Sequence, residues 1–79
     1  MKKINDFKKG DIITVNETPT YPKLKLENGY IDIRDDIVNK NNLDFVARKM
    51  TINEVLSQPA FENVTEKDLN EWIQENIEK

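Results

Sequence analysis

Asn28-Gly29 stands between two short apolar alternations, Leu24-Lys25-Leu26 and Ile31-Asp32-Ile33. Asn-Gly is the favoured pair for a two-residue type I′ turn, because both turn positions need positive φ. A turn there predicts a hairpin with strands over 23–27 and 30–34. It sets Glu27 against Tyr30, Leu26 against Ile31, Lys25 against Asp32 and Leu24 against Ile33. Leu24, Leu26, Ile31 and Ile33 then share one face. Lys25 and Asp32 form an opposite-charge pair on the other, worth about 0.2–1 kcal/mol. A slip of one residue would turn every apolar side chain to the wrong face. The hairpin therefore demands a sheet with one apolar side, which another element must cover.

The flanking segments supply that sheet and its cover. Ile12-Ile13-Thr14-Val15 is β-branched throughout and follows the turn signal Lys8-Lys9-Gly10-Asp11, so a strand is expected over 11–16. Ile13 and Val15 fall on one face, Ile12 and Thr14 on the other. Ile4 and Phe7 are expected to cover one end of the core. Pro19 and Pro22 make 17–22 a loop or sheet edge, since each removes a ladder donor and holds its predecessor extended. Asp35 to Val38 reads as one helical turn, 39–42 as a loop, and Phe45-Val46-Ala47-Arg48 as a short strand returning to the sheet.

Two helices close the chain. Thr51 and Glu54 have capping-box spacing, Met50 and Val55 the staple positions, and Pro59 stops that helix near Gln58. Thr65 starts the second, over about 66–78, with Val64 and Leu69 as its staple and Glu66 and Asp68 at the positive end of its dipole. Leu69, Trp72, Ile73 and Ile77 recur at helical spacing and form one apolar stripe. Trp72, the only Trp, is expected to anchor this helix on the sheet. Strands followed by helices give an α+β fold: a small twisted antiparallel sheet and then two C-terminal helices, the last packed on it. The chain reads as a single domain, β-rich over 1–50 and helical over 51–79. At this size only about 63 percent of the unfolded surface is buried, so one small core carries the stability.

Composition narrows the chemistry. There is no Cys and no His, which removes the usual thiol nucleophile, the usual general base and any Cys/His zinc site. Ser57 is the only Ser, and the two glycines lie nineteen residues apart, too far for a phosphate-cradling loop. Asp32, Asp35 and Asp36 are oxygen donors of the type that suits Mg²⁺ or Ca²⁺, but their spacing matches no calcium loop. No catalytic residue, cofactor or metal ligand is assigned. No apolar run exceeds three residues, so no transmembrane span is expected. No leader segment is read at the start, and the lack of Cys fits a reducing cytoplasm.

Charge is polarised. Residues 1–26 hold six Lys against three acids, and residues 27–79 hold six basic residues against twelve acids. Lys2, Lys3, Lys8, Lys9, Lys23 and Lys25 suit phosphate contacts, with Tyr21 and Tyr30 as stacking faces. A sequence pI of about 4.9 argues against a nucleic-acid module. Glu71, Glu75 and Glu78 form one acidic ridge on the last helix. Lys outnumbers Arg ten to two beside nine Ile and ten Asn, the signature of an AT-rich genome. In this the chain resembles short acidic proteins of low-GC bacteria, their phages and mobile elements.

Two stretches resemble an SH3-like small β-barrel, over residues 10–48. Gly10-Asp11-Ile12-Ile13-Thr14-Val15 is similar to the Gly-Asp strand opening of that family. Gly29-Tyr30-Ile31, followed by Asp36-Ile37-Val38, is similar to its Gly-Tyr-Ile/Val segment, short 3₁₀ turn and closing strand. The chain departs from the pattern in having one strand, 23–27, between the two matches. It also lacks the paired Trp of proline-peptide binders, so that binding function is not implied. The resemblance implies a small curled antiparallel sheet.

These observations lead to one functional expectation: a non-enzymatic protein-interaction module, of phage or mobile-element origin, that binds and inhibits a host protein. Its contacts are expected on Glu71, Glu75 and Glu78 or on the loop carrying Tyr21 and Pro22. The alternatives are a self-associating structural subunit and nucleic-acid binding through the Lys-rich head.

Overall fold

The hairpin forms, but two residues out of the expected register. In a computed structural model of the chain, which describes residues 2–16 and 18–78, Leu26 opposes Gly29, Lys25 opposes Tyr30, Leu24 opposes Ile31 and Lys23 opposes Asp32. The turn is Glu27-Asn28, and neither residue has positive φ, so it is not type I′. Gly29 instead opens the second strand of the hairpin at φ +152°, where a Cβ would sit 2.3 Å from the Asn39 carbonyl oxygen. The glycine admits a neighbouring strand and does not shape the turn. A shift of two keeps every side chain on its face, so Leu24 and Ile31 remain a pair in the apolar face. The charge pair changes partners: Lys23 Nζ lies 2.8 Å from Asp32 Oδ1, and Lys25 is buried beside Tyr30 with its ammonium donating to the Leu26 carbonyl.

Six strands form one antiparallel sheet: β1 (Lys2–Lys3), β2 (Ile12–Val15), β3 (Lys23–Leu26), β4 (Gly29–Asp32), β5 (Val38–Asn39) and β6 (Val46–Lys49), in the order β1-β6-β2-β3-β4-β5. β2 to β5 run as a meander, and β6 returns to pair with β2, Thr14 opposite Arg48 and Val15 opposite Ala47. β1 and β5 carry little sequence signal, since each is only two residues long. The helical turn expected at 35–38 is absent. Asp35 to Ile37 are irregular, and Val38 opposes Ile31 in a ladder instead. β-branched Ile37 and Val38 suit an extended chain.

Each face of the sheet contributes to a cluster of buried side chains. On one, Ile12, Leu24, Ile31 and Ile33 cluster with Met50, Val55, Phe61, Leu69 and Ile73. On the other, Ile13, Tyr30 and Ala47 cluster with Ile4 and Phe7, which therefore close a second core and not one end of the first. Two helices follow the strands, α1 (Ile52–Leu56) and α2 (Glu66–Ile77), with a 3₁₀ turn over Pro59–Phe61 between them. Trp72 lies at the margin of its cluster, partly exposed, while Phe61 is 1% exposed. The aromatic at the centre of this core is the Phe of the connection. Among the described residues no helix is long and apolar enough to cross a membrane.

Both helix starts are closed by local hydrogen bonds. Thr65 Oγ1 accepts from Asp68 N–H at 3.1 Å, and Asp68 returns a carboxylate oxygen to Thr65 N–H. In α1, Thr51 Oγ1 accepts from Glu54 N–H at 3.1 Å and Glu54 Oε1 accepts from Thr51 N–H at 3.2 Å. Arg48 Nη2 reaches Glu54 Oε2 at 2.9 Å, tying α1 to β6. The Arg48 guanidinium, and after it the Thr51 N–H, hold the Glu54 carboxyl below the usual carboxylate range. A folded-state value below the unfolded one contributes stability that is present above about pH 4.3 and is lost as pH falls through the folded value. Glu54→Gln is therefore expected to destabilise the protein at neutral pH. Urea titrations of the two proteins should converge in acid, and a difference that persists below that window would contradict the assignment.

Candidate functional site

Between β2 and β3, Thr20 and Tyr21 form a strap held by hydrogen bonds at several points. The first expected residue of this loop, Glu17, lies outside the described residues. Thr14 is fully buried on β2, and its hydroxyl lies 2.6 Å from Thr20 Oγ1 and accepts from Thr20 N–H at 2.7 Å. Gln58 Nε2, at the end of α1, donates to the Thr20 carbonyl at 2.9 Å. Thr20 thus joins the sheet to the helical layer. The next residue, Tyr21, donates its hydroxyl to the Ile33 carbonyl at 3.0 Å, and its ring centroid lies 5.8 Å from that of Phe61, tilted by 49°.

Tyr21 is nevertheless 46% exposed. Its exposed side borders an open groove of about 710 Å³ whose walls are Pro19 and Tyr21 on the strap and Ser57, Gln58, Pro59 and Ala60 on the opposite side. A large aromatic fixed at both ends loses little freedom on binding, and Tyr is among the residues that carry much of the energy of protein contacts. The groove size lies within the range of recognition pockets. Pro22, the other expected contact residue of the loop, is buried, so its ring offers no contact surface.

Glu71, Glu75 and Glu78 are all exposed, on or just after α2. Lys67 Nζ lies 4.0 Å from Glu71 Oε1, and none of the three glutamates lines the Tyr21 groove. The loop and the ridge are separate surfaces. Of the basic head, Lys23 is held by Asp32 and Lys25 is buried. Tyr30 is also buried, at 7% exposure, and has no free face for stacking. Asp32, Asp35 and Asp36 do not converge, and among the described residues no cluster of three potential metal ligands exists.

Sequence reasoning missed the far wall of the groove. Pro59 was legible as a helix stop, but nothing local marks Gln58 as the partner of a residue 38 positions earlier. No protein-family model, no curated protein and no solved structure matches this chain.

Proposed function

We propose that this chain is a small non-enzymatic protein-interaction module that binds a partner protein in the groove around Tyr21. The observation that carries the reading is the half-exposed Tyr21 ring, held by a hydrogen bond at its hydroxyl and by Phe61 beneath it. The walls combine the apolar Pro19, Tyr21, Pro59 and Ala60 with polar residues and one carboxylate, Glu54, which suits a protein segment presenting apolar side chains beside a donor group. We further propose that residues 10–48 are an SH3-like barrel with α2 docked on its apolar face. The meander from β2 to β5, with β6 returned to β2, supports the first part. The shared burial of Leu69 and Ile73 with Leu24, Ile31 and Ile33 supports the second.

Affinity capture from the source cell tests the reading, with a photo-crosslinking residue placed at exposed Ala60. Crosslinking at Ala60 to a single protein is the expected result. Tyr21→Ala is expected to weaken capture by about tenfold or more, as truncation of a central aromatic does, and Tyr21→Phe to retain most of it. Capture that survives Tyr21→Ala and is lost on reversing Glu71, Glu75 and Glu78 to Lys would move the interface to the ridge. Absence of capture would remove the reading altogether.

A further inference from the structure

β5 lies at one end of the sheet, and Ile37 and Val38 there are 67% and 49% exposed. The direction of its backbone groups follows from the ladder. Lys25 N–H donates to the Asp11 carbonyl at 2.9 Å, and the Lys25 carbonyl accepts from Gly10 N–H at 2.8 Å. Both peptide groups of Lys25 thus face away from β4, so Lys25 and Tyr30 oppose each other without exchanging hydrogen bonds. Tyr30 then directs its own N–H and C=O to the other side, at Asn39. The Asn39 carbonyl oxygen lies close against Gly29 on β4, as this alternation requires. Val38, one residue earlier, turns its N–H and C=O off the edge of the sheet.

Asp36, Val38 and Lys40, at the every-second-residue spacing of a strand face, border one cleft of about 360 Å³ together with Leu26, Ile31 and the charged Lys9 and Glu27. Among the described residues neither Asp36 nor Lys40 takes part in an ion pair. Only Val38–Asn39 is strand in the single chain; pairing that extends the strand over residues 36–40 would hold Asp36 and Lys40 about 13 Å apart, out of reach of each other. They fit an antiparallel copy of the same segment. Pairing centred on Val38 sets Val38 opposite Val38, Asp36 opposite Lys40 and Lys40 opposite Asp36. That register is also the one in which the outward N–H and C=O of Val38 meet their counterparts.

The geometry points to a two-fold homodimer in which the β5 edges of two copies pair antiparallel about Val38, flanked on each side by an Asp36–Lys40 ion pair. A second copy supplies both what an unpaired strand edge accepts and the charge pattern that selects the register. The interface is isologous, as a closed dimer requires. It uses none of the Tyr21 groove residues, so it stands or falls apart from the proposed partner site.

Sedimentation of the full chain at low salt, from micromolar to millimolar concentration, tests this. Wild type is expected to show a reversible monomer–dimer equilibrium. Asp36→Lys alone and Lys40→Asp alone should each weaken it about tenfold or more, since two favourable cross-strand pairs become like-charged. An equimolar mixture of the two variants should dimerise again, because one chain then carries two lysines where the other carries two aspartates. Both positions are exposed, and far-UV spectra verify that the variants fold. Val38→Pro, which removes the outward N–H, should abolish pairing. A wild type that stays monomeric at millimolar concentration overturns the proposal. So does a dimer indifferent to both single reversals, or a mixture that associates no better than its components.

Discussion

Phe61→Ala is expected to lower the unfolding free energy by about 3–5 kcal/mol, the usual cost of truncating a buried aromatic. A domain of 79 residues has only about 4–12 kcal/mol to lose, so the variant should give up between about a quarter and all of its stability. Phe61 is 1% exposed and shares a cluster with Leu24 and Ile33 of the sheet region, Val55 of α1 and Leu69 of α2. The void would open among side chains of the sheet region, α1 and α2, and a cavity that cannot collapse fully adds to the cost. It would also remove the ring beneath Tyr21 and disturb the groove. Urea unfolding should show a lower midpoint with little change in slope. Trp72→Ala, though it deletes a larger ring, is expected to cost less, because Trp72 is only partly buried. The reverse ranking would show that the centre of the core lies under Trp72.

Gly29→Ala is the second large effect. Its φ of +152° lies where side chains are rarely accommodated, which alone costs about 1–3 kcal/mol. The added methyl would also meet the Asn39 carbonyl oxygen at 2.3 Å. That atom is main chain and cannot swing aside, so β5 must move off β4. Amide exchange at Asn39 should accelerate beyond the global change. Asn28→Ala separates this cause from a turn effect. A type I′ turn would need Asn28 at positive φ, and here its φ is not positive, so this exposed substitution should stay within about 0.5 kcal/mol. A costly Asn28→Ala beside a mild Gly29→Ala would restore the turn as the reason for the pair.

The same pair of residues shows where sequence reading stops. Asn28-Gly29 located the hairpin, because only small or turn-prone residues interrupt the alternation there. It misplaced the register by two, because Gly29 is fixed by the close approach of β5, a strand of two residues with no periodicity of its own. The Tyr21 loop was legible from its prolines. The pose of Tyr21 and of Thr20 beside it depends on Ile33, Gln58 and Phe61, which lie 12 to 40 residues beyond Tyr21 in the chain.

By itself the sequence determined what short-range physics controls. Thr51 and Thr65 start helices because capping satisfies N–H groups two or three residues away. Ile12 and Ile13 face opposite sides because a strand alternates at every residue. The three-dimensional arrangement alone decided which strands meet beyond the hairpin, which lysine is buried, and which aromatic sits at the centre. Those outcomes turn on contacts between residues far apart in the chain, where packing and the pairing of backbone groups outweigh local preference.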